Sequence, residues 1–115
     1  MEMYKNYIKE VFDRECYYDN DCFITFNMYE DKKEISIVDY YCCPESRGKG
    51  NMLTFMNNFF DKYTKQGYTT FYGYTDMDNN GWKKSEALML KFGFKHLKVE
   101  NSTYNHYVLS TAGDK

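Results

Sequence analysis

Apolar residues recur over the first dozen positions at Tyr4, Tyr7, Ile8, Val11 and Phe12. That i, i+3, i+4, i+7, i+8 spacing lays one stripe along an α-helix. The period then changes. CFITFNMY (22–29) and EISIVDYYCC (34–43) alternate in polarity and are joined by the charged tetrapeptide EDKK, which predicts an antiparallel hairpin. Pro44 ends the second strand, because it has no amide hydrogen to give a ladder. A helical period returns at Met52, Leu53, Met56, Phe59, Phe60 and Tyr63, closed by Gly67 after Gln66. YTTFYGYTD (68–76) predicts a third strand, with Thr70, Tyr72 and Tyr74 on one face and Phe71 on the other. DNNGWKKSEALMLKFGF (78–94) predicts a helix opened by Asp and Asn caps and stopped at Gly93. KHLKVENSTYNHYVLS (95–110) reads as a closing hairpin turned at Asn101-Ser102.

The predicted order is α-β-β-α-β-α-β-β. Helices between strands require at least one parallel crossover pair, whereas the hairpins are antiparallel. The expected fold is therefore α/β (α+β), a mixed, mostly antiparallel sheet with helices on both faces. At 115 residues the chain makes one domain, 1–115.

Charge and composition narrow the function classes. Fifteen basic and 17 acidic side chains leave a net charge of −2, with no basic stripe, so nucleic acid is not an expected partner. The 13 Tyr and 9 Phe fill the wet edge of a small core more readily than they stack bases. No run of 18 apolar residues spans a membrane, and MEMYKNYIKEVF lacks the apolar block of a signal peptide, so the expected location is the cytoplasm. Asn101-Ser102-Thr103 is then a chance sequon.

Metal chemistry finds little support. Cys16 and Cys22 are six apart, Cys42 and Cys43 are adjacent and point to opposite faces of a strand, and no CxxC pair exists. Reduced, mostly buried thiols are expected. Asp76, Asp78, Asn80 and Gly81 imitate the opening of an EF-hand calcium loop, yet position 87, where the closing Glu belongs, is Ala. No metal site is expected.

PESRGKGNM (44–52) is the stretch least explained by folding. The nucleoside-triphosphatase loop is absent, because Lys49 lies between the glycines and Asn51 follows Gly50. The dinucleotide pattern GxGxxG is absent too, with only Gly48 and Gly50 present. A strand, a short Arg/Gly/Lys loop and a helix remain. Free amides at the helix N-terminus suit a pyrophosphate, and a plain turn with a solvated arginine suits the same residues.

CCPESRGKGNMLTFM resembles the acyl-CoA-binding motif of the GCN5-related N-acetyltransferase (GNAT) superfamily, Gln/Arg-x-x-Gly-x-Gly/Ala at the start of a long helix. Arg47 matches the first position and Gly50 the fourth; the sixth is Met52. ALMLKFGF resembles the family's later helix ending in Lys-x-Gly-Phe, and the likeness covers about residues 21–110. It implies a GNAT-like N-acetyltransferase that moves an acetyl group from acetyl-CoA to an amine on a protein (lysine or N-terminus) or small molecule. The cofactor would be held by Tyr41, Cys42, Cys43, Arg47, Gly48, Lys49, Gly50, Asn51 and Met52. An amide near Cys42 would bind the thioester oxygen, and a homodimer is compatible with the resemblance.

Asp39, Tyr72 and Tyr74 are the candidates for acid-base chemistry, Asp39 because an apolar context would raise its pKa. One departure bears on mechanism. The family's later helix often carries an Asn and, seven residues on, a Tyr that protonates the leaving thiolate; those places hold Trp82 and Met89 here. Ser85, one turn before Met89, is a weaker substitute donor. The alternative is a catalytically inactive descendant that binds CoA or a protein partner. A nucleobase- or RNA-directed member is suggested only by the aromatics, against the acidic balance.

Overall fold

The amphipathic first segment folds as α1 (Glu2–Phe12) and stops where Asp13 turns left-handed at φ 55°. The computed structural model describes residues 1–111. Of the α1 stripe only Ile8 is buried, while Tyr4, Tyr7, Val11 and Phe12 stay substantially exposed. The helix leans on a strand too narrow to cover it.

That strand, β1 (Glu15–Tyr18), was not expected from the sequence, because four residues reading ECYY carry no alternation. It pairs antiparallel with β2 (Cys22–Tyr29). Packing and a turn hold it: the Tyr17 ring lies 5.0 Å from Phe55 and 5.5 Å from Phe59. The Asp19 carboxylate accepts the Asp21 and Cys22 amides at 2.7 and 2.8 Å.

The remaining elements follow the predicted order. They are β3 (Glu34–Cys42), a 3₁₀ turn Pro44–Ser46, α2 (Asn51–Lys65), β4 (Thr70–Asp76), α3 (Trp82–Lys91), β5 (Lys95–Glu100) and β6 (Tyr104–Ser110). The sheet runs β1-β2-β3-β4-β6-β5, and only the β3/β4 pair is parallel. This is the mixed, mostly antiparallel sheet that the alternation of periods implied. The closing hairpin turns where the Thr103 amide donates to the Glu100 carbonyl at 3.1 Å. Asn101 and Ser102 both take positive φ there, 54° and 58°, as a two-residue primed turn requires.

One aromatic layer forms the core. Phe55, Met56, Phe59, Phe60 and Tyr63 of α2 cover Ile24, Phe26, Ile35 and Phe71 of the sheet. Phe59 sits at its centre, 5.1 Å from the Phe26 ring and 6.1 Å from Phe71, both edge-on. The opposite face carries α1, whose Tyr4 ring lies 5.3 Å from Phe23, the outward neighbour of Ile24. Helices thus occupy both faces.

α3 joins the α2 face. Its N-cap is Gly81, with no side-chain cap bond. The expected caps at the start of 78–94 do not cap it: the Asn79 carbonyl accepts the Gly81 amide inside the preceding turn, and the Asp78 amide donates to the Asp76 carboxylate. The helix is anchored where the fully buried Tyr107 phenol donates to Glu86 at 2.5 Å and meets the Thr75 hydroxyl at 3.1 Å. Burial, and then the hydrogen bond to Glu86, push that phenol up to about 12.

A close approach sets how deep α3 can sit. A Cβ built on Gly73 would lie 2.9 Å from Met89 Sδ and 3.8 Å from the Phe94 ring. Gly73→Ala therefore forces the buried thioether aside and should cost about 1–3 kcal/mol in urea unfolding. If the clash is local, the combination with Met89→Ala will cost clearly less than the two single changes added together.

Candidate functional site

β3 and β4 begin as a parallel pair, Glu34–Ser36 beside Thr70–Tyr72, and the pairing goes no further among the described residues. A register shift explains the break. On the other side of β3, Thr25 pairs with Asp39 and Phe26 with Ile37, which leaves Val38 as an extra residue. Such a bulge bends its strand and disrupts the ladder. β3 therefore turns away from β4, and a wedge opens between Ile37–Tyr40 and Gly73–Asp76, continuing outward past Tyr41 and Cys42.

The bulge also decides which way the backbone faces. The Cys43 amide donates to the Asp21 carbonyl at 2.8 Å, on the β2 side. Antiparallel pairing alternates, so the main-chain groups of Cys42 and Tyr40 face the wedge. Arg47 confirms this for one of them, since its Nε donates to the Cys42 carbonyl at 2.9 Å.

Two adjoining lobes fill the wedge. The inner one, about 430 Å³, is lined by Asp39, Tyr74, Asp76, Trp82, Met89 and Tyr104 among others. Among the described residues its charged lining is Asp39 and Asp76. The outer lobe, about 890 Å³, is lined by Tyr41, Cys42, Ser46, Arg47, Gly48, Gly50, Met52, Leu53 and Lys84, and its charged residues are both basic. Tyr40, Asn79, Gly81, Ser85 and Leu88 line both lobes.

The outer lobe is built for an anion. Gly48 and Gly50 take φ 75° and 79°, values that only glycine adopts cheaply, and so curl the chain into α2. The first backbone bond of α2 runs from the Thr54 amide to the Gly50 carbonyl at 3.2 Å, and Gly50 offers no side-chain cap. The amides of Asn51, Met52 and Leu53 are left for a ligand, with the helix dipole behind them. The Arg47 guanidinium is preset by its Cys42 bond and by stacking 5.3 Å over Tyr41. Because Gly50 is left-handed, a side chain there strains the backbone although a Cβ would meet no neighbouring atom.

Of the cofactor candidates, Tyr41, Cys42, Arg47, Gly48, Gly50 and Met52 line the lobe. Cys43, Lys49 and Asn51 do not. The Cys43 thiol donates to Ser46 Oγ at 3.3 Å, the Asn51 amide group donates to the Ser46 carbonyl at 3.3 Å, and Lys49 lies exposed on the loop. The side chains of Cys43 and Asn51 hold the loop rather than face its hollow. Cys22 sits opposite Cys42, and burial followed by the Cys42 contact pushes its thiol up to about 12. All four cysteines are free thiols.

The acid-base candidates separate. Asp39 is exposed, so the apolar surroundings expected of it are not there; it lies at the inner lobe with Tyr74. The Tyr74 phenol is pushed up by burial first and by the Asp39 charge next, and its ring lies 6.0 Å from Tyr104. Tyr72 lines neither lobe and donates to Glu34 at 3.3 Å.

Sequence reading overlooked Tyr40 and Lys84. Tyr40 was hidden by the bulge, which beyond Val38 moves the even-numbered residues Tyr40 and Cys42 onto the α2 face. Lys84 sits on the exposed side of α3, and nothing in its local pattern separates it from a solvated lysine.

No family model matches the chain, and no curated protein matches it by sequence. Solved structures do. The ribosomal L7/L12 alpha-N-protein acetyltransferase superposes with a TM-score of 0.76 at 15% identity, over 94% of this chain and 66% of that one. A Bacillus subtilis acetyltransferase in complex with CoA gives 0.69 at 16% identity, over 92% and 83%. The ribosomal-protein-S18-alanine N-acetyltransferase of Escherichia coli gives 0.66 at 14% identity, over 82% of this chain and 65% of that chain. The chain thus spans slightly less than two thirds of the Escherichia coli enzyme. Bulge, wedge and glycine-led helix together with these superpositions lead to one conclusion: the chain has the fold of the GNAT acetyltransferases.

Proposed function

We propose that this protein is a GNAT-superfamily acyltransferase that carries an acetyl group from acetyl-CoA to a cationic amine. The observation that carries the reading is the split polarity of the wedge, basic where α2 begins and acidic between β3 and β4. A ligand with phosphates at one end suits the first, and a protonated amine suits the second.

The residues then take roles. The amides of Asn51, Met52 and Leu53 and the charges of Arg47 and Lys84 hold the pyrophosphate. The wedge-facing main chain of Tyr40 and Cys42 offers hydrogen bonds to the extended arm and to the thioester oxygen as it gains charge. Asp39 attracts the amine and Tyr74 flanks it. The amine attacks only when neutral, so its proton leaves before the bond forms. The TM-scores and the B. subtilis complex with CoA support acyl-CoA as the donor. The other reading, a CoA-binding protein without turnover, is favoured by Trp82 and Met89, which carry no acid where the family's Asn and Tyr stand.

Acetyl-CoA should raise the melting temperature by mass action, whereas ATP and NAD should not. Lys84→Glu lies on an exposed helical face, so it should leave unfolding unchanged and weaken acetyl-CoA about tenfold, less at high salt. Equal affinity in the two proteins would remove Lys84 from the cradle, and no binding by either would remove the reading altogether.

Asp39→Asn tests the acidic lobe. An exposed charge pair is worth up to about 1 kcal/mol, so KM for a diamine acceptor should rise about fivefold. KM for a neutral amine should not change, and KM for an anionic amine should fall. A collapse of kcat instead would make Asp39 a proton acceptor rather than an electrostatic guide.

A further inference from the structure

Two hydroxyls meet where the lobes meet. The Tyr40 phenol, on the wedge side of β3, donates to Ser85 Oγ on α3 at 2.5 Å. Both residues line both lobes. Of the other residues at that junction, Gly81 and Leu88 have no polar side chain, and the Asn79 carbonyl oxygen is engaged by the Gly81 amide. The Tyr40 and Ser85 hydroxyls are therefore the acidic side-chain protons at the junction.

The bond has a direction. A hydroxyl has one proton and two acceptor positions, and Tyr40 spends its proton on Ser85. Ser85 keeps its own proton for another acceptor. Burial raises the Tyr40 phenol above its usual value, so it stays protonated through neutral pH.

On the acyl-transfer reading above, the thioester spans this junction, because its phosphates lie in one lobe and the amine in the other. We propose that Ser85 protonates the departing thiolate, with its proton replaced by Tyr40. The bookkeeping of atoms is complete. The amine nitrogen forms the C–N bond, the C–S bond breaks, and its electron pair goes to sulfur. The Ser85 proton moves to sulfur, and the Tyr40 proton moves to Ser85 Oγ. The phenolate recovers, through solvent, the proton that the amine gives up. Nothing is oxidised or reduced. Ser85 is the catalytic residue, and Tyr40 acts through it as a positioning residue.

A measurement independent of turnover tests this. Thiolate absorbance of CoA bound to the full chain is titrated against bound CoA lacking its sulfur, which cancels the protein's own tyrosines and cysteines. A hydroxyl donating to sulfur favours the thiolate, so bound CoA should titrate below the ordinary thiol value of about 8.5. Ser85→Ala should bring it back up, Tyr40→Phe should bring it part of the way, and Ser85→Thr should keep it low. In turnover of acetyl-CoA with a diamine, Ser85→Ala should lose about a hundredfold in kcat with KM little changed, and Ser85→Thr should recover most of it. Identical thiol titrations in the wild-type protein and in Ser85→Ala would overturn the proposal while leaving acyl transfer standing. Failure of the wild-type protein to bind CoA would instead overturn the functional reading and this inference with it.

Discussion

Everything at the site depends on the parting of two strands. β3 and β4 share three paired residues and then diverge, and the cause is one extra residue, Val38, in the pairing of β3 with β2. A sheet normally tolerates no such gap, since unpaired buried amides and carbonyls are costly. Here the gap leads to water and, on our reading, to a ligand that restores the missing ladder. The wedge is a sheet edge placed inside the sheet.

Rigidity on either side makes the opening permanent. The α2 aromatics fasten β2, β3 and the start of β4 into one core. On the far side, Tyr107 joins β6, Thr75 and Glu86, and Met89 drops into the space left by Gly73. α3 is thus held at a fixed depth, and that depth places Ser85 against Tyr40. The chain from packing to chemistry is short: a missing Cβ on β4 sets the helix, and the helix sets the hydroxyl pair.

Much of this was legible in the sequence, because periodicity is a local property. The α2 stripe, the β2–β3 hairpin and the loop from Arg47 to Gly50 were each read from adjacent residues. What was missed was non-local. β1 has four residues and owes its form to Tyr17 packing on Phe55 and Phe59, which lie about 40 positions away. A bulge cannot be seen in β3 alone, since it exists only relative to β2. Without it nothing in β3 shows that the residues beyond Val38 change face, and so Tyr40, which reaches Ser85 on α3, went unnamed beside Tyr41. The apolar neighbours of Asp39 along the chain suggested burial, yet the strand presents its carboxylate to solvent.

The central claim is that the wedge receives an acyl-CoA along the free edge of β3. Amide hydrogen exchange with and without acetyl-CoA reads that edge residue by residue. The account predicts slowed exchange at Tyr40 and Cys42 and at the amides from Gly48 to Leu53, with β1 and the β5–β6 turn unchanged. Protection confined to other surfaces, or unchanged exchange at Tyr40 and Cys42 under saturating acetyl-CoA, would contradict it.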